Sequence, residues 1–330
     1  MMTKNNPIQQ IHDTASEISR KKWEQLKALK KSDITFGAYE NLLCIFQTFN
    51  KSHMLKMVLA PFIEARFKNI MLFADGCIDE TVAEAQCLLT GKRHAIIVVN
   101  DLHEIHNYRF SLTSEWGKNS EFALLMQDDD LYPTDFGWLN YGVEMMKKDP
   151  KLVVIGYRSG FNWEKICPAS PTFETDPFYW EGNKMGAPGG SRSELIEGAD
   201  IGAFGLNFKY CHSVIRAPHL IRVAEFLENT TFDPLFEPFQ DDDSNYCLQL
   251  WGKGYRVGLV GGARIARDVG IGGMRLSNQM TAHRRPTHTK RNHNYLYERL
   301  GSFINSGELA ARVKDANDSI VPSPKRLLYL

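Results

Sequence analysis

Two runs of three aspartates, Asp128-Asp129-Asp130 and Asp241-Asp242-Asp243, are the residues of this 330-residue chain whose type and spacing most directly offer chemistry. Carboxylates crowded this closely are hard oxygen donors. With phosphate oxygens and water completing the shell, they suit Mg2+ or Mn2+ bound to a diphosphate. A cation held in this way neutralises charge developing on a departing phosphate. Taken singly, the first run reads equally as an acidic turn ahead of Pro133, and the second as a helix N-cap with acids on the helix dipole. The elements that carry each run have to separate these readings.

The apolar strand Phe122 to Met126 leads straight into the first triplet and places it at a carboxyl edge, where ligands of open α/β sheets bind. If strand geometry persists through the triplet, Asp128 and Asp130 share a face and Asp129 points the other way. Upstream, the apolar runs Leu42 to Phe46, Ile70 to Ala74 and Ala95 to Val99 alternate with helical stretches at Met54 to Arg66 and Asp79 to Leu89. That alternation predicts βαβ units and a mostly parallel sheet. Asn107 is expected to cap a helix reaching Trp116, and Thr134 to open one through Lys148, with Leu152 to Gly156 as the next strand. Prolines and glycines then break the rhythm over residues 157 to 200, which read as long loops. Within them Gly186 to Ser191 reads as a mobile loop, and Trp180 and Glu181 as packing residues or an acceptor platform. A strand near Cys211 to Ile215, a helix from Pro218 to about Glu228, a second from about Asp243 to Trp251, a strand Tyr255 to Val260 and a helix Asn292 to Ile304 complete the reading.

Lys plus Arg and Asp plus Glu both total 39, so no long-range field favours nucleic acid. Six cysteines lie scattered without a CxxC pair, and Cys44 sits in an apolar run, which suggests a reducing, cytoplasmic setting. No apolar stretch is long enough to span a membrane. The first thirty or so residues carry Ile8, Ile11, Ala15, Ile18, Trp23, Leu26 and Leu29 at helical spacing, with a lysine-rich opposite face. Such a helix is expected to dock on the protein's own core or on a second copy in a homo-oligomer, ahead of peripheral attachment to a membrane. Residues 1–35 are thus an N-terminal extension, 36–275 the main domain (halves 36–156 and 157–275), and 276–330 a C-terminal extension.

The stretch from Leu42 to about Val260 resembles family 2 glycosyltransferases of the GT-A fold. Four segments carry the resemblance: Gln47-Thr48-Phe49-Asn50-Lys51 after the first strand, Ala74-Asp75-Gly76-Cys77 after the second, Asn107-Tyr108-Arg109, and Leu124-Leu125-Met126-Gln127-Asp128-Asp129-Asp130. A fifth, Phe232 to Asp243, is similar to the loop that delivers a catalytic carboxylate at a helix start, followed by Cys247-Leu248-Gln249-Leu250-Trp251-Gly252-Lys253-Gly254. The resemblance implies a Rossmann-like three-layer sandwich of the nucleotide-diphospho-sugar transferase type. It departs from the family at Ala74, at Asp242, where the family has Glu, and at Gln249, where it has Arg.

The resemblance further implies a transferase that moves a sugar from a nucleotide-diphosphate donor to a hydroxyl of a glycan or glycoconjugate, inverting, with Mn2+ or Mg2+. Thr48, Asn50, Asp75, Arg109, Asp128 and Asp129 fall on the donor-binding segments. Asp130, with Asp128, is assigned to the metal, and Asp268 stands where the family often has a metal-site His. Asp243 is implied as the base that takes the acceptor proton, with Asp242 beside it. Two alternatives are a catalytically silent sugar- or nucleotide-binding protein and a sugar-nucleotide nucleotidyltransferase. The latter lacks its usual Gly-rich phosphate loop here.

Overall fold

The computed structural model describes residues 41–90, 94–170, 179–181, 184–187, 189–203, 205–238, 240–266 and 279–320. The N-terminal helix expected over the first thirty residues and Asp268 lie outside these residues. In chain order the strands are β1 (Leu42–Thr48), β2 (Asn69–Asp75), β3 (His94–Val99), β4 (Phe122–Gln127), β5 (Leu152–Gly156), β6 (Ser159–Lys165), β7 (Tyr179–Glu181), β8 (Lys184–Ala187), β9 (Ser191–Glu197), β10 (Asn207–Tyr210), β11 (Ser213–Val214), β12 (His219–Arg222) and β13 (Arg256–Gly261). The longer helices are α1 (Ser52–Glu64), α2 (Thr81–Leu88), α3 (His103–Thr113), α4 (Gly137–Lys148), α5 (Val223–Asn229), α6 (Asp242–Gly252), α7 (Gln279–Asn305) and α8 (Glu308–Asp318).

The central sheet has the order β10-β13-β5-β12-β4-β1-β2-β3. Strands β4, β1, β2 and β3 run parallel, as do β5 and β13, while β12 is antiparallel to β4 and β5, and β10 to β13. The sheet is therefore mostly parallel, as the apolar runs predict. All of Leu42 to Phe46 and Ile70 to Ala74 is buried, which is why these strands read as continuous apolar runs rather than alternating ones. The crossovers through α1 and α2 step one way along the sheet, and the crossover through α3 steps back past β1 to β4. Right-handed crossovers thus put α3 on the opposite face from α1 and α2, giving three layers. The reversal falls between β1 and β4, so a crevice opens beyond their carboxyl ends.

Five local expectations are corrected. The described part of residues 157–200 is not all loop, because β6, β9, β8 and β7 join β11 in a five-stranded antiparallel sheet, with Gly189 and Gly190 at the β8–β9 hairpin. The helix expected from Pro218 begins as strand β12 instead. His219, Leu220 and Ile221 are fully buried between β4 and β5, and this tertiary pairing overrides local propensity. Helix α3 starts at His103 rather than Asn107, and α4 at Gly137 rather than Thr134, where Asp135 Oδ1 accepts from the Gly137 N–H (2.8 Å). The C-terminal helix α7 extends well upstream of Asn292.

Candidate active site

The crevice is built first from backbone. After β1 the chain turns through Phe49, Asn50 and Lys51, and after β2 through Gly76, Cys77 and Ile78. The two turns are stitched together. Asn50, at a left-handed φ of 52°, accepts the Ile78 N–H through Oδ1 (2.7 Å), the Lys51 N–H donates to Thr81 Oγ1 (3.0 Å), and the Ser52 N–H donates to Asp79 Oδ2 (3.1 Å). Gly76, at φ +66°, passes so close to Asp101 that an added Cβ would lie 3.1 Å from its Cβ. Thr48 is buried at the end of β1.

The first aspartate triplet sits in this crevice, at the reversal of strand order. Strand β4 ends at Gln127, so the triplet is a turn and strand alternation does not govern it. Asp128 is half-buried, Asp129 buried and Asp130 completely so. Asp129, expected to point away, is therefore part of the interior. The Phe49 N–H donates to Asp128 Oδ2 (2.7 Å), joining the ends of β1 and β4. Burial pushes the Asp128 carboxyl up to about 7, and the neighbouring Asp129 adds to this. The buried Lys51 ammonium, the Phe49 N–H and the Thr48 hydroxyl favour its ionised form. Behind the triplet, Leu131 pairs with Ala266 through N–H···O bonds of 2.8 and 3.0 Å, two residues before Asp268. Tyr132 and Phe136 pack edge-on against Phe62 with ring centroids 5.3 and 5.1 Å apart, so the turn stands on a rigid aromatic floor.

Asp75 is not open to a ligand. Its Oδ1 accepts from the Leu102 N–H (2.7 Å), and its Oδ2 from the His103 N–H (2.9 Å) and Gln47 Nε2 (3.1 Å). These bonds satisfy the orphan amides at the start of α3, so Asp75 caps a helix 28 residues downstream. Arg109 is exposed, while its neighbours Asn107 and Tyr108 are buried, and none of its side-chain contacts ties it to the triplet.

The guanidinium that does reach the acids is Arg216, which sequence reasoning does not single out. Its Nη1 donates to Asp242 Oδ2, its Nε and Nη2 donate to Glu104 Oε2 (3.2 and 2.8 Å), and its backbone N–H donates to Asp243 Oδ2 (3.2 Å). Glu104 Oε1 in turn accepts from Gln127 Nε2 (2.8 Å), the residue before Asp128. Asp242 is buried and held by Arg216, whereas Asp243 is half-buried and also accepts the Ser244 N–H through Oδ1 (2.7 Å). Burial, with the Asp242 charge beside it, pushes Asp243 up to about 7 despite the opposing effect of Arg216. Gln127, the last residue of β4 and the neighbour of Asp128, is thus joined to the first turn of α6 by one unbroken run of hydrogen bonds.

Helix α7 holds the loop ahead of α6. Gln240 and Asp241 both have left-handed backbone (φ 78° and 62°), a conformation that persists in non-glycine residues only when its surroundings enforce it. Asn292, fully buried, donates through Nδ2 to the carbonyls of Phe236 (2.6 Å) and Gln240 (3.2 Å). Arg291 donates to the Glu237 carbonyl, and Arg299 Nη1 to Asp233 Oδ2 (2.6 Å). His293 Nε2 donates to the Cys167 carbonyl (3.0 Å), while its Nδ1 lies 3.8 Å from Asp241 Oδ2. Among the described residues no group of three or more His, Cys, Asp or Glu side chains is gathered closely enough to hold a metal ion unaided, and no helix is long and apolar enough to cross a membrane.

No family model matches the sequence, and no curated protein does. Among solved structures, the chain is similar to GalNAc-T7 crystallised with UDP, GalNAc and Mn2+, with a TM-score of 0.53 at 10% identity over 81% of this chain. A looser match is TarS of S. aureus, with a TM-score of 0.39 at 11% identity over 67% of this chain and 35% of that one. The fold assignment rests on the first. This chain spans about half (53%) of the GalNAc-T7 chain it matches. Its architecture is the GT-A fold that the sequence leads one to expect.

Proposed function

We propose that the chain is a metal-dependent glycosyltransferase that moves a sugar from a nucleoside-diphosphate donor to a hydroxyl of a glycan or glycoconjugate, with inversion. One observation carries this reading. Two acidic runs, one at a strand end beside the switch-point crevice of a GT-A fold and one at a helix start, are linked through Gln127, Glu104 and Arg216.

Their environments suit two different tasks. Asp128 is the least buried member of the first run, and its carboxyl is pushed up by burial and by Asp129, a build-up of negative charge that a hard cation offsets. The donor set fits Mg2+ or Mn2+, which are ordinarily held by one or two carboxylates, with substrate phosphates and water filling the shell. Asp130, fully buried, is the second carboxylate within the same turn, and Asp268 is a further candidate. A cation bound there supplies charge stabilisation to the departing diphosphate. That GalNAc-T7, on a similar fold, was crystallised with UDP, GalNAc and Mn2+ supports a nucleotide-sugar donor and a metal here.

Asp243 suits general-base work. It is half-buried, its pKa of about 7 is matched to neutral operation, and each of its oxygens retains a lone pair beyond the amide it accepts. It takes the proton of the acceptor hydroxyl as that oxygen bonds the anomeric carbon and the bond to the diphosphate breaks. Asp242 stays charged against Arg216 and orients the turn. Thr48, Asn50 and Asp75 shape the donor side through backbone and turn geometry.

The test is a panel of UDP-, GDP-, dTDP- and CMP-sugars with Mn2+, read by thermal shift and by sugar transfer or hydrolysis. Binding raises the melting temperature by linkage, and at least one member is expected to do so and to be turned over. A shift without turnover points to the catalytically silent reading, and no shift with any member overturns the proposal.

A further inference from the structure

The run Gln127, Glu104, Arg216, Asp242 performs none of the steps just described, yet it is energetically demanding to build. Arg216 and Asp242 take one positive and one negative charge out of water, with the partly exposed Glu104 as a second acid on the guanidinium, and such buried pairs rarely stabilise a fold more than apolar packing of the same volume. Arg216 is fixed on several sides. Glu104 takes one edge of the guanidinium and Asp242 another nitrogen, and the Tyr108 ring lies 5.3 Å from its Cζ. Tyr108 is anchored in turn, its hydroxyl donating to the Met126 carbonyl of β4 (3.0 Å). Both ends of the run therefore terminate on the site. Gln127 is bonded to Asp128 through the chain, and Arg216 reaches Asp242 with its side chain and Asp243 with its backbone N–H.

Asp242 and Asp243 occupy the first turn of α6, and successive helical side chains diverge by about 100°. Clamping Asp242 therefore sets the rotation of that turn, and with it the direction in which Asp243 points. We propose that Arg216 and Glu104 are positioning residues of the transfer reaction, holding the base Asp243 at a fixed distance and angle from the Asp128 end of the site. This rests on the glycosyltransferase reading. Proximity effects make such placement worth orders of magnitude, since a displacement of about 1 Å costs on the order of 100-fold in rate.

The experiment uses the full chain with Mn2+ and whichever sugar nucleotide of the UDP-, GDP-, dTDP- and CMP-sugar panel the wild-type protein turns over. Arg216→Lys keeps the charge and the backbone N–H but loses the fork that spans both acids. Glu104→Gln keeps the volume and the bond to Gln127 but loses the charge. Each is expected to lower kcat by about 10- to 100-fold with KM for the donor within about twofold, because a misplaced base affects the transition state and not donor binding. Because the two residues act through one another, the double variant is expected to lose much less than the product of the two single losses. Variants that keep wild-type kcat and lose only melting temperature overturn the inference and leave the glycosyltransferase reading standing. If Arg216→Lys does not fold, the nearly isosteric Glu104→Gln decides between these outcomes alone. A wild-type protein that turns over nothing in the panel removes both.

Discussion

The two aspartate triplets are identical in composition and differ in almost everything else. In the first, at a strand end, burial deepens along the run, from the half-buried Asp128 to the fully enclosed Asp130. In the second, at a helix start, the middle residue is the buried one, and Asp241 and Asp243 flank it half-exposed. The first is stabilised by a backbone amide of the neighbouring turn and by the ammonium of Lys51. The second is stabilised by a guanidinium that arrives from a distant segment. Which carboxylate of a run can meet a substrate is thus decided by the element beneath it and by where its counter-charge comes from, not by the run itself.

The comparison breaks most visibly in activity. Asp128→Asn and Asp243→Asn are each expected to lower turnover by about 100- to 1,000-fold while the protein still melts cooperatively, since both remove an accessible functional carboxylate. Steady-state assays with the donor identified from the panel check this, and near-normal rates in either variant dissolve the assignment for that triplet. Next in size, Asp242→Ala is expected to cost about 3 kcal/mol of stability, because it leaves Arg216 buried beside a single acid. Asp128→Asn should cost far less, and urea titration of the two side by side measures the contrast.

Asp241 sharpens the comparison through pH. Burial and the Asp242 charge push its carboxyl from an ordinary 3.8 up to about 7. A carboxyl raised in the folded state helps stability most below its ordinary pKa and loses that contribution as pH rises toward about 7. Asp241→Asn is therefore expected to raise the melting temperature at pH 8 relative to wild type and to leave it little changed near pH 4. The smallest effect belongs to the loop clamp. Asn292→Ala removes two hydrogen bonds to buried carbonyls and is expected to destabilise by about 1–3 kcal/mol. Its kcat should fall more than its donor KM changes, which kinetics at subsaturating and saturating donor would register.

Much of this is legible in the sequence. The order β1 to β4 and the position of the first triplet follow from apolar runs, those of β1, β2 and β4 buried on both faces, which need no knowledge of partners. What local pattern does not show depends on residues far apart in the chain. The start of α3 is hidden because its cap is Asp75 rather than anything adjacent to His103. Strand β12 reads as helix because its neighbours β4 and β5, which make it a strand, lie about 65 to 100 residues upstream. Arg216 carries no local signal at all, since Glu104 is 112 residues away and Asp242 is 26. The antiparallel sheet of β6 to β9 with β11 is hidden in the sequence because turn residues such as Gly189 and Gly190, which punctuate the β8–β9 hairpin, do not forbid its strands.

The grip of α7 on the loop ahead of α6 also sets an order of events during synthesis. Asn292, the clamp of Gln240, is made 52 residues after it, and Asn305, which brackets Ile166 through both ends of its side-chain amide, comes later still. The parallel half of the sheet, β1 to β4, closes on contacts available long before. A growing chain can therefore assemble the crevice beside the first triplet early, while the left-handed turn at Gln240 and Asp241 gains its fastening only once α7 has been made.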